Sequence, residues 1–353
     1  MRSPYALPTI SVVGCHAEGE VGDVITQGLG HIAGDTMFEK LTNFQQQNDH
    51  VRNLLLNEPR GRPSLNLNVI TPPCDARADV GVLMMGNEAY AYMSGSNVIC
   101  TATVLLESGL LPMEEPETKL TLDTAAGLIA VTAQCMAGKC TSVAFDNVPA
   151  FVAELDFPVA HVPGIGTVLV DVAWGGMWYG IVTAESLGLH VSSESCPRLI
   201  ELGKRVTQAI QGQIKPRHPD NPDMAGVCTV SITGPLSREA GCLTGTNTVI
   251  IPPGRCDRSP CGTSTSARMA VLHARGLLDV GEEFRHRSVV GTEFVGRIQR
   301  RVKVGPYDAI VPNISGRAWI TSFKDIVLDP TDPYPEGFRL GDQWPVEPWP
   351  TGL

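Results

Sequence analysis

Paired cysteines, clustered basic charge and long charge-free apolar runs are what this 353-residue sequence lacks. Its ten cysteines include no C-x-x-C pair, which argues against a zinc ribbon or a disulfide scaffold and leaves most of them as buried reduced thiols. With 27 Lys and Arg against 37 Asp and Glu the net charge is −10, and the only short basic run, residues 297–303, lies in a strand-like segment. A nucleic-acid partner, which needs clustered cations for its phosphates, is therefore set aside. The longest apolar region, residues 162–182, is interrupted by Asp171 and five glycines, so no membrane span is expected. Arg2, Pro4 and Pro8 break up the N-terminus, so a signal peptide is not expected either, and the cytoplasm is the expected location.

What the chain does contain is 43% hydrophobic residues, with 36 glycines and 27 prolines scattered without a period. That composition suits many turns and strands around two cores, and the length suggests two domains. Strands are expected at residues 9–15 and 23–29 around the polar turn His16-Ala17-Glu18-Gly19-Glu20, then a helix over 36–56 closed by Glu58-Pro59-Arg60-Gly61. Gly28, Gly30 and Gly34 nearly spell a dinucleotide loop, but the third glycine falls one position late and no acidic residue follows at the right distance, so a turn is the reading. Further strands are expected at 66–71 and 80–85, with a hairpin from 120–132 and 141–145. Asn147-Val148-Pro149 then closes a first domain near residue 155. The second domain opens with strands at 166–173 and 177–184, continues with a helix at 196–211, and adds strands at 227–233 and 246–252. The expected division is 1–155 and 156–324, with a proline-rich tail, 325–353, packing back on the first domain.

The chain is organised around residues 255–278, R-C-D-R-S-P-C-G-T-S-T-S-A-R-M-A-V-L-H-A-R-G-L-L. Pro260 and the small residues Gly262, Thr263 and Ser264 suit a helix start, and Gly276 suits its end. Cys261 would sit at the positive end of that helix, where unpaired amides should lower the thiol pKa and could hold a carboxylate. A shift of 167 residues lays residues 94–111 on 261–278 with six identical pairs, among them Gly95 and Gly262 and the whole Gly-Leu-Leu stop. Each copy is followed by a strand-like run, 120–132 and 288–302. The chain thus reads as two copies of one unit, each with a helix mouth headed by a small polar group, Ser94 in one and Cys261 in the other.

Two such mouths on one cleft would aim several amides at a small carboxylate. Removing the α-proton of an amino acid puts charge on that carboxylate, so donors that strengthen with the charge lower the barrier without metal or pyridoxal. A thiolate tuned near neutrality would be the base. Asp257 could accept from the substrate ammonium or simply cap its loop.

The runs D-R-S-P-C-G-T at 257–263, E-P-R-G at 58–61, M-S-G-S at 93–96 and I-S-G-R-A at 314–318 resemble the proline racemase family, which includes proline racemase, 4-hydroxyproline 2-epimerase and trans-3-hydroxy-L-proline dehydratase. The resemblance implies an α/β (α+β) architecture of two pseudo-symmetric domains with the diaminopimelate epimerase-like fold, each a central helix wrapped by a curved, mostly antiparallel sheet. It implies no cofactor, with Ser94 and Cys261 acting on opposite faces of Cα, Gly95, Ser96, Gly262 and Thr263 at the carboxylate, and Asp257 at the ring nitrogen. Two positions depart from the commoner M-C-G-H: Ser94 replaces a cysteine and Ser96 a histidine. Serine is a far poorer base than a thiol, and a dehydration needs only one effective base plus help for the leaving hydroxide. Dehydration of trans-3-hydroxy-L-proline to Δ1-pyrroline-2-carboxylate is therefore favoured here, with 4-hydroxyproline 2-epimerisation, or both reactions in one protein, as the alternative. The expected partner is a small imino acid, with a homodimer left open.

Two rival classes use the same residues. A cysteine hydrolase would take Cys261 as nucleophile with His16, His218 or His273 as base. A carboxylate-binding protein would use both helix mouths and leave Cys261 inert.

Overall fold

The computed structural model describes residues 8–344; Arg2 and Pro4 of the N-terminal reading and the end of the tail lie outside them. The first half runs β1 (Thr9–Ala17), β2 (Glu20–Gln27), α1 (Met37–Gln47), α2 (Asp49–Leu56), β3 (Leu65–Thr71), β4 (Val80–Met85), β5 (Tyr90–Ala91), α3 (Gly95–Glu107), β6 (Glu117–Thr124), β7 (Gly127–Met136) and β8 (Lys139–Asp146). The second runs β9 (Ala150–Val162), β10 (Gly166–Trp174), β11 (Trp178–Thr183), α4 (Cys196–Gln211), β12 (Thr229–Thr233), β13 (Ser237–Glu239), β14 (Cys242–Ile251), β15 (Arg255–Cys256), α5 (Gly262–Ala274), β16 (Glu283–Arg287), β17 (Glu293–Val304), β18 (Tyr307–Gly316) and β19 (Ala318–Val327).

The duplication inferred from the 167-residue offset is repeated in the strand pairing. In the first half β1–β2 is antiparallel, β2–β3 parallel, β3–β4 antiparallel, β4–β6 parallel, and β6–β7 and β7–β8 antiparallel. The same order of orientations recurs through β10, β11, β12, β14, β16, β17 and β18. The two series meet where β8 pairs with β18, and there Asp146 and Asn313, themselves 167 apart, are register partners joined by a 2.7 Å side-chain hydrogen bond. The halves also interlock: β19 returns to pair with β1, and β9 pairs with both β10 and β18. Residue 155, the expected division, lies within β9.

Each half wraps one buried helix. α3 packs on β1, β2, β3, β7, β8 and β19, and α5 on β9, β10, β11, β17 and β18. Both are buried through their first three turns, α5 together with its polar Thr263, Ser264, Thr265, Ser266 and Arg268. The shared Gly-Leu-Leu stop has a backbone reason. Gly109 and Gly276 take φ of 71° and 70°, the left-handed conformation that closes a helix at little cost only for glycine. α4 is the amphipathic helix expected at 196–211, burying Leu199, Leu202, Val206 and Ile210 against the second core.

Three segments differ from expectation. The helix expected at 36–56 is two, because Asn48 leaves helical geometry (φ −127°, ψ 17°) amid a polar Gln-Gln-Gln-Asn-Asp run, and Asn and Asp favour caps over helix interiors. Thr36 starts α1 with a reciprocal capping box to Glu39. Residues 120–132 belong to two strands, β6 and β7, that turn at Ala125-Ala126 and Gly127 (φ 124°). The run from 288 begins as a turn closed by the Ser288 N–H to Thr292 carbonyl bond, and its strand starts at Glu293. After β19 the tail lies on the end of α2, where Phe338 bridges Glu58 and Arg339 donates to Asn57 Oδ1 at 2.8 Å. Among the described residues no helix is long and apolar enough to cross a membrane.

The helix mouths touch backbone to backbone. A Cβ built on Gly95 would lie 2.7 Å from Gly262 Cα, and one on Gly262 would lie 2.7 Å from Gly95 Cα, with Phe145 pressed on both. Gly95→Ala should therefore cost about 1–3 kcal/mol in urea unfolding. Gly30→Ala, which meets nothing within 4 Å, should change stability by no more than about 0.5 kcal/mol.

Candidate active site

The close approach of the two glycines brings both helix mouths onto one cavity of about 110 Å³. That is small beside the roughly 300–1,000 Å³ of drug-sized ligand sites. Ser94, Ser96, Asp257, Cys261 and Thr263 all line it. Gly95 and Gly262 lie behind them at the contact between the helices. The first intrahelical bonds run from Val98 N to Ser94 O and from Thr265 N to Cys261 O. The first-turn amides before Val98 and Thr265 are thus left without helical acceptors, and anions bind at such ends.

The two mouths are alike in path and unlike in detail. Ser94 is an extended N-cap (φ −146°, ψ 120°), whereas Cys261 takes φ 62°, ψ 108°, a conformation unfavourable for a residue with a Cβ. Local bonds hold it there. The Cys261 N–H donates to Ser259 Oγ at 3.1 Å, and Ser259 Oγ and N–H in turn donate to Asp257 Oδ1 at 3.0 and 2.9 Å. Asp257 therefore does cap its loop through Oδ1, while its side chain still borders the cavity.

Burial reverses the expectation for the thiol. Cys261 is pushed up to about 12, not lowered: desolvation dominates, the nearby Asp257 charge adds to it, and the Tyr179 hydroxyl, the Ser264 amide and the Thr263 hydroxyl offset only part. The helix end does favour the thiolate, but it works inside a dry pocket that penalises any isolated anion. Asp257 is likewise raised well above the usual carboxylate range, by burial first and the Glu20 charge second.

Several lining residues carry no signal in a linear reading. Tyr179, in β11, places its hydroxyl 3.4 Å from Cys261 Sγ and 2.8 Å from Thr263 Oγ1. Glu20 pairs with Arg255 at 2.6 Å in near-complete burial, accepts from Asn66 at 2.8 Å, and takes the Arg258 N–H at 2.9 Å. This cluster ties β2 and β3 to the Asp257 loop. Glu20 belongs to the polar turn visible in sequence, but its partner lies more than 230 positions away. Asn97 could have been found from the repeat, where it faces Ser264.

The histidines lie elsewhere. His16 stacks on Trp319, His218 sits against Phe151 and Trp174, and His273 Nδ1 pairs with the Leu278 carbonyl at 2.8 Å. No histidine among the described residues lines the Cys261 cavity, so the hydrolase reading has no base.

A helix mouth from each half, meeting over a small cavity with a thiol on one side and a hydroxyl on the other, defines an epimerase-like fold. A Bacillus anthracis phenazine biosynthesis protein of the PhzF family shares that fold, at TM-score 0.58 and 11% identity over 90% of this chain and 99% of its own. The family described as proline racemase matches residues 12–339, and the chain belongs to it. It is similar, at 37% identity and TM-score 0.90, to a hydroxyproline epimerase from Agrobacterium vitis solved with bound trans-4-hydroxy-L-proline, over 96% of each chain. It is equally similar, at 37% identity and TM-score 0.90, to a probable proline racemase from Agrobacterium radiobacter solved with bound carbonate, over 95% of this chain and 98% of that one.

The raised thiol makes a direct prediction. Iodoacetamide alkylation of Cys261, followed by peptide mass spectrometry on the ligand-free chain, should be slow at pH 8 and still rise roughly tenfold per pH unit at pH 10. A plateau by pH 9 would show that the helix end outweighs desolvation.

Proposed function

We propose that the chain abstracts the α-proton of a hydroxyproline without a cofactor, and that its reaction is inversion of trans-4-hydroxy-L-proline at C2, a 4-hydroxyproline 2-epimerase. The observation that carries this is the convergence of Ser94 and Cys261 from opposed helix mouths on one small cavity. The 37% identity over nearly the full length to a hydroxyproline epimerase supports the same substrate class.

In this reading the substrate carboxylate takes the free amides of Gly95, Ser96, Gly262 and Thr263, and the ring nitrogen faces Asp257. That nitrogen is cationic, so its arrival opposes the two effects that keep the thiol protonated, the dry surroundings and the Asp257 charge. The Cys261 thiolate then takes the α-proton, charge spreads onto the carboxylate where the amides are fixed, and a proton returns to the other face from Ser94. Tyr179 supports the thiolate through its hydroxyl. The division into units of residues 1–155 and 156–324 with the tail 325–353 is likewise proposed, each unit supplying one mouth.

Dehydration of trans-3-hydroxy-L-proline, preferred on sequence, is the second reading, and one observation favours it. Ser94 and Ser96 set their hydroxyls 3.4 Å apart, able to hold a water beside a leaving hydroxide. The order is reversed here because a hydroxyl donor opposite one thiol also satisfies epimerisation, and the epimerase relative matches almost end to end.

Both substrates should be offered to the purified chain, with chiral chromatography for inversion and o-aminobenzaldehyde for the pyrroline. Inversion of the 4-hydroxy compound is expected; pyrroline from the 3-hydroxy compound without inversion of the other would transfer the assignment. Cys261→Ala should lower kcat/KM by at least about 10²-fold, and full activity in that variant would end both readings.

A further inference from the structure

The hydrogen-bond polarity around Ser94 is set by a chain of donors that starts at a backbone carbonyl. Asp23 O can only accept, so the carboxamide of fully buried Asn68 must turn its Nδ2 toward it, at 3.3 Å. The same Nδ2 donates to Asn97 Oδ1 at 3.0 Å, which orients the buried Asn97 carboxamide and points its Nδ2 at Ser94 Oγ, 3.0 Å away. The space for this pair exists because residue 22 is glycine: a Cβ there would lie 2.4 Å from Asn97 Oδ1. Asn68 Oδ1 is left buried without a partner among the described residues, so the arrangement is not the one that maximises its own bonding. The equivalent position on α5 is Ser264, whose Oγ donates to Ser231 Oγ at 2.8 Å, so Cys261 has no such carboxamide beside it.

We propose that Asn97, oriented by Asn68, is a positioning residue that makes Ser94 the proton donor opposite Cys261; this rests on the function proposed above. Because Ser94 Oγ already accepts from Asn97, its own hydrogen is free for Ser96 or the cavity. In the reaction the Cα–H bond breaks as Cys261 sulfur gains the proton. The Ser94 O–H bond then breaks as Cα gains a proton on the other face, leaving an alkoxide that the Asn97 N–H stabilises until solvent restores the Ser94 proton and removes the one on Cys261. Asn97 has one further role to be weighed, as a plain structural support of the first turn of α3.

The test is carried out in D2O with the full chain, each C2 isomer of 4-hydroxyproline, and the variants Asn97→Leu and Asn97→Asp. The second variant is isosteric and keeps an acceptor for Asn68 while offering Ser94 no donor when ionised. Both should invert substrate about 10²-fold more slowly, while deuterium uptake into the unreacted isomer whose α-hydrogen faces Cys261 falls by less than about threefold. Inversion within about threefold of the wild type in either variant overturns the proposal, as does a parallel loss of exchange and inversion in both, the mark of a structural role. If the wild-type product is a pyrroline, the epimerase reading falls and the same comparison is read on elimination. Exchange retained with elimination lost then supports the Asn97 role, and both lost together overturns it.

Discussion

Everything in this molecule depends on two helix N-termini meeting at Gly95 and Gly262. Their backbones come closer than any side chain would permit, and the two glycines are equivalent positions of the 167-residue repeat. Because the mouths touch, the amides, the serine and the thiol that head them share one small cavity instead of two separate ones. The interlocked sheet holds the contact in place: β8 pairs with β18 beside it, and β19 returns to β1.

The same closeness creates the electrostatic problem that the site has to solve. A thiol, two carboxylates and a buried arginine are packed in a pocket too dry to stabilise isolated charges. Glu20 is paired with Arg255, yet its charge still raises Asp257, and the Asp257 charge in turn raises Cys261. In the proposed reaction a cationic ring nitrogen would supply the counter-charge that favours the thiolate. On that proposal, substrate binding and base formation would be coupled through desolvation, which would also strengthen the amides at a bound carboxylate.

Much of the architecture was legible in the chain because it is made of local signals repeated twice. Gly109 and Gly276 end their helices through a conformation that glycine alone adopts readily, and Pro260 and the small residues after it mark where α5 begins. Ser94 and Cys261 stood out for the same reason, since each heads a repeated mouth, whereas Ser96 and Thr263 were named through the family resemblance and Asp257 by its place just before Cys261; all five line one cavity. The break at Asn48 was not legible, because an apolar period on both sides hides a cap that only the turn of the chain reveals.

By itself the sequence determined the duplication, the two helix mouths and the groups that head them, since these follow from offsets, glycines and caps acting over a few residues. Tertiary structure alone decided how those groups behave. Tyr179, Glu20, Asn66 and Asn68 reach the two mouths from strands far away in the chain. Burial of Cys261 in the assembled fold raised a thiol that a free helix end would have lowered. Short-range backbone geometry is written locally, whereas desolvation and hydrogen-bond polarity belong to whatever the fold brings alongside.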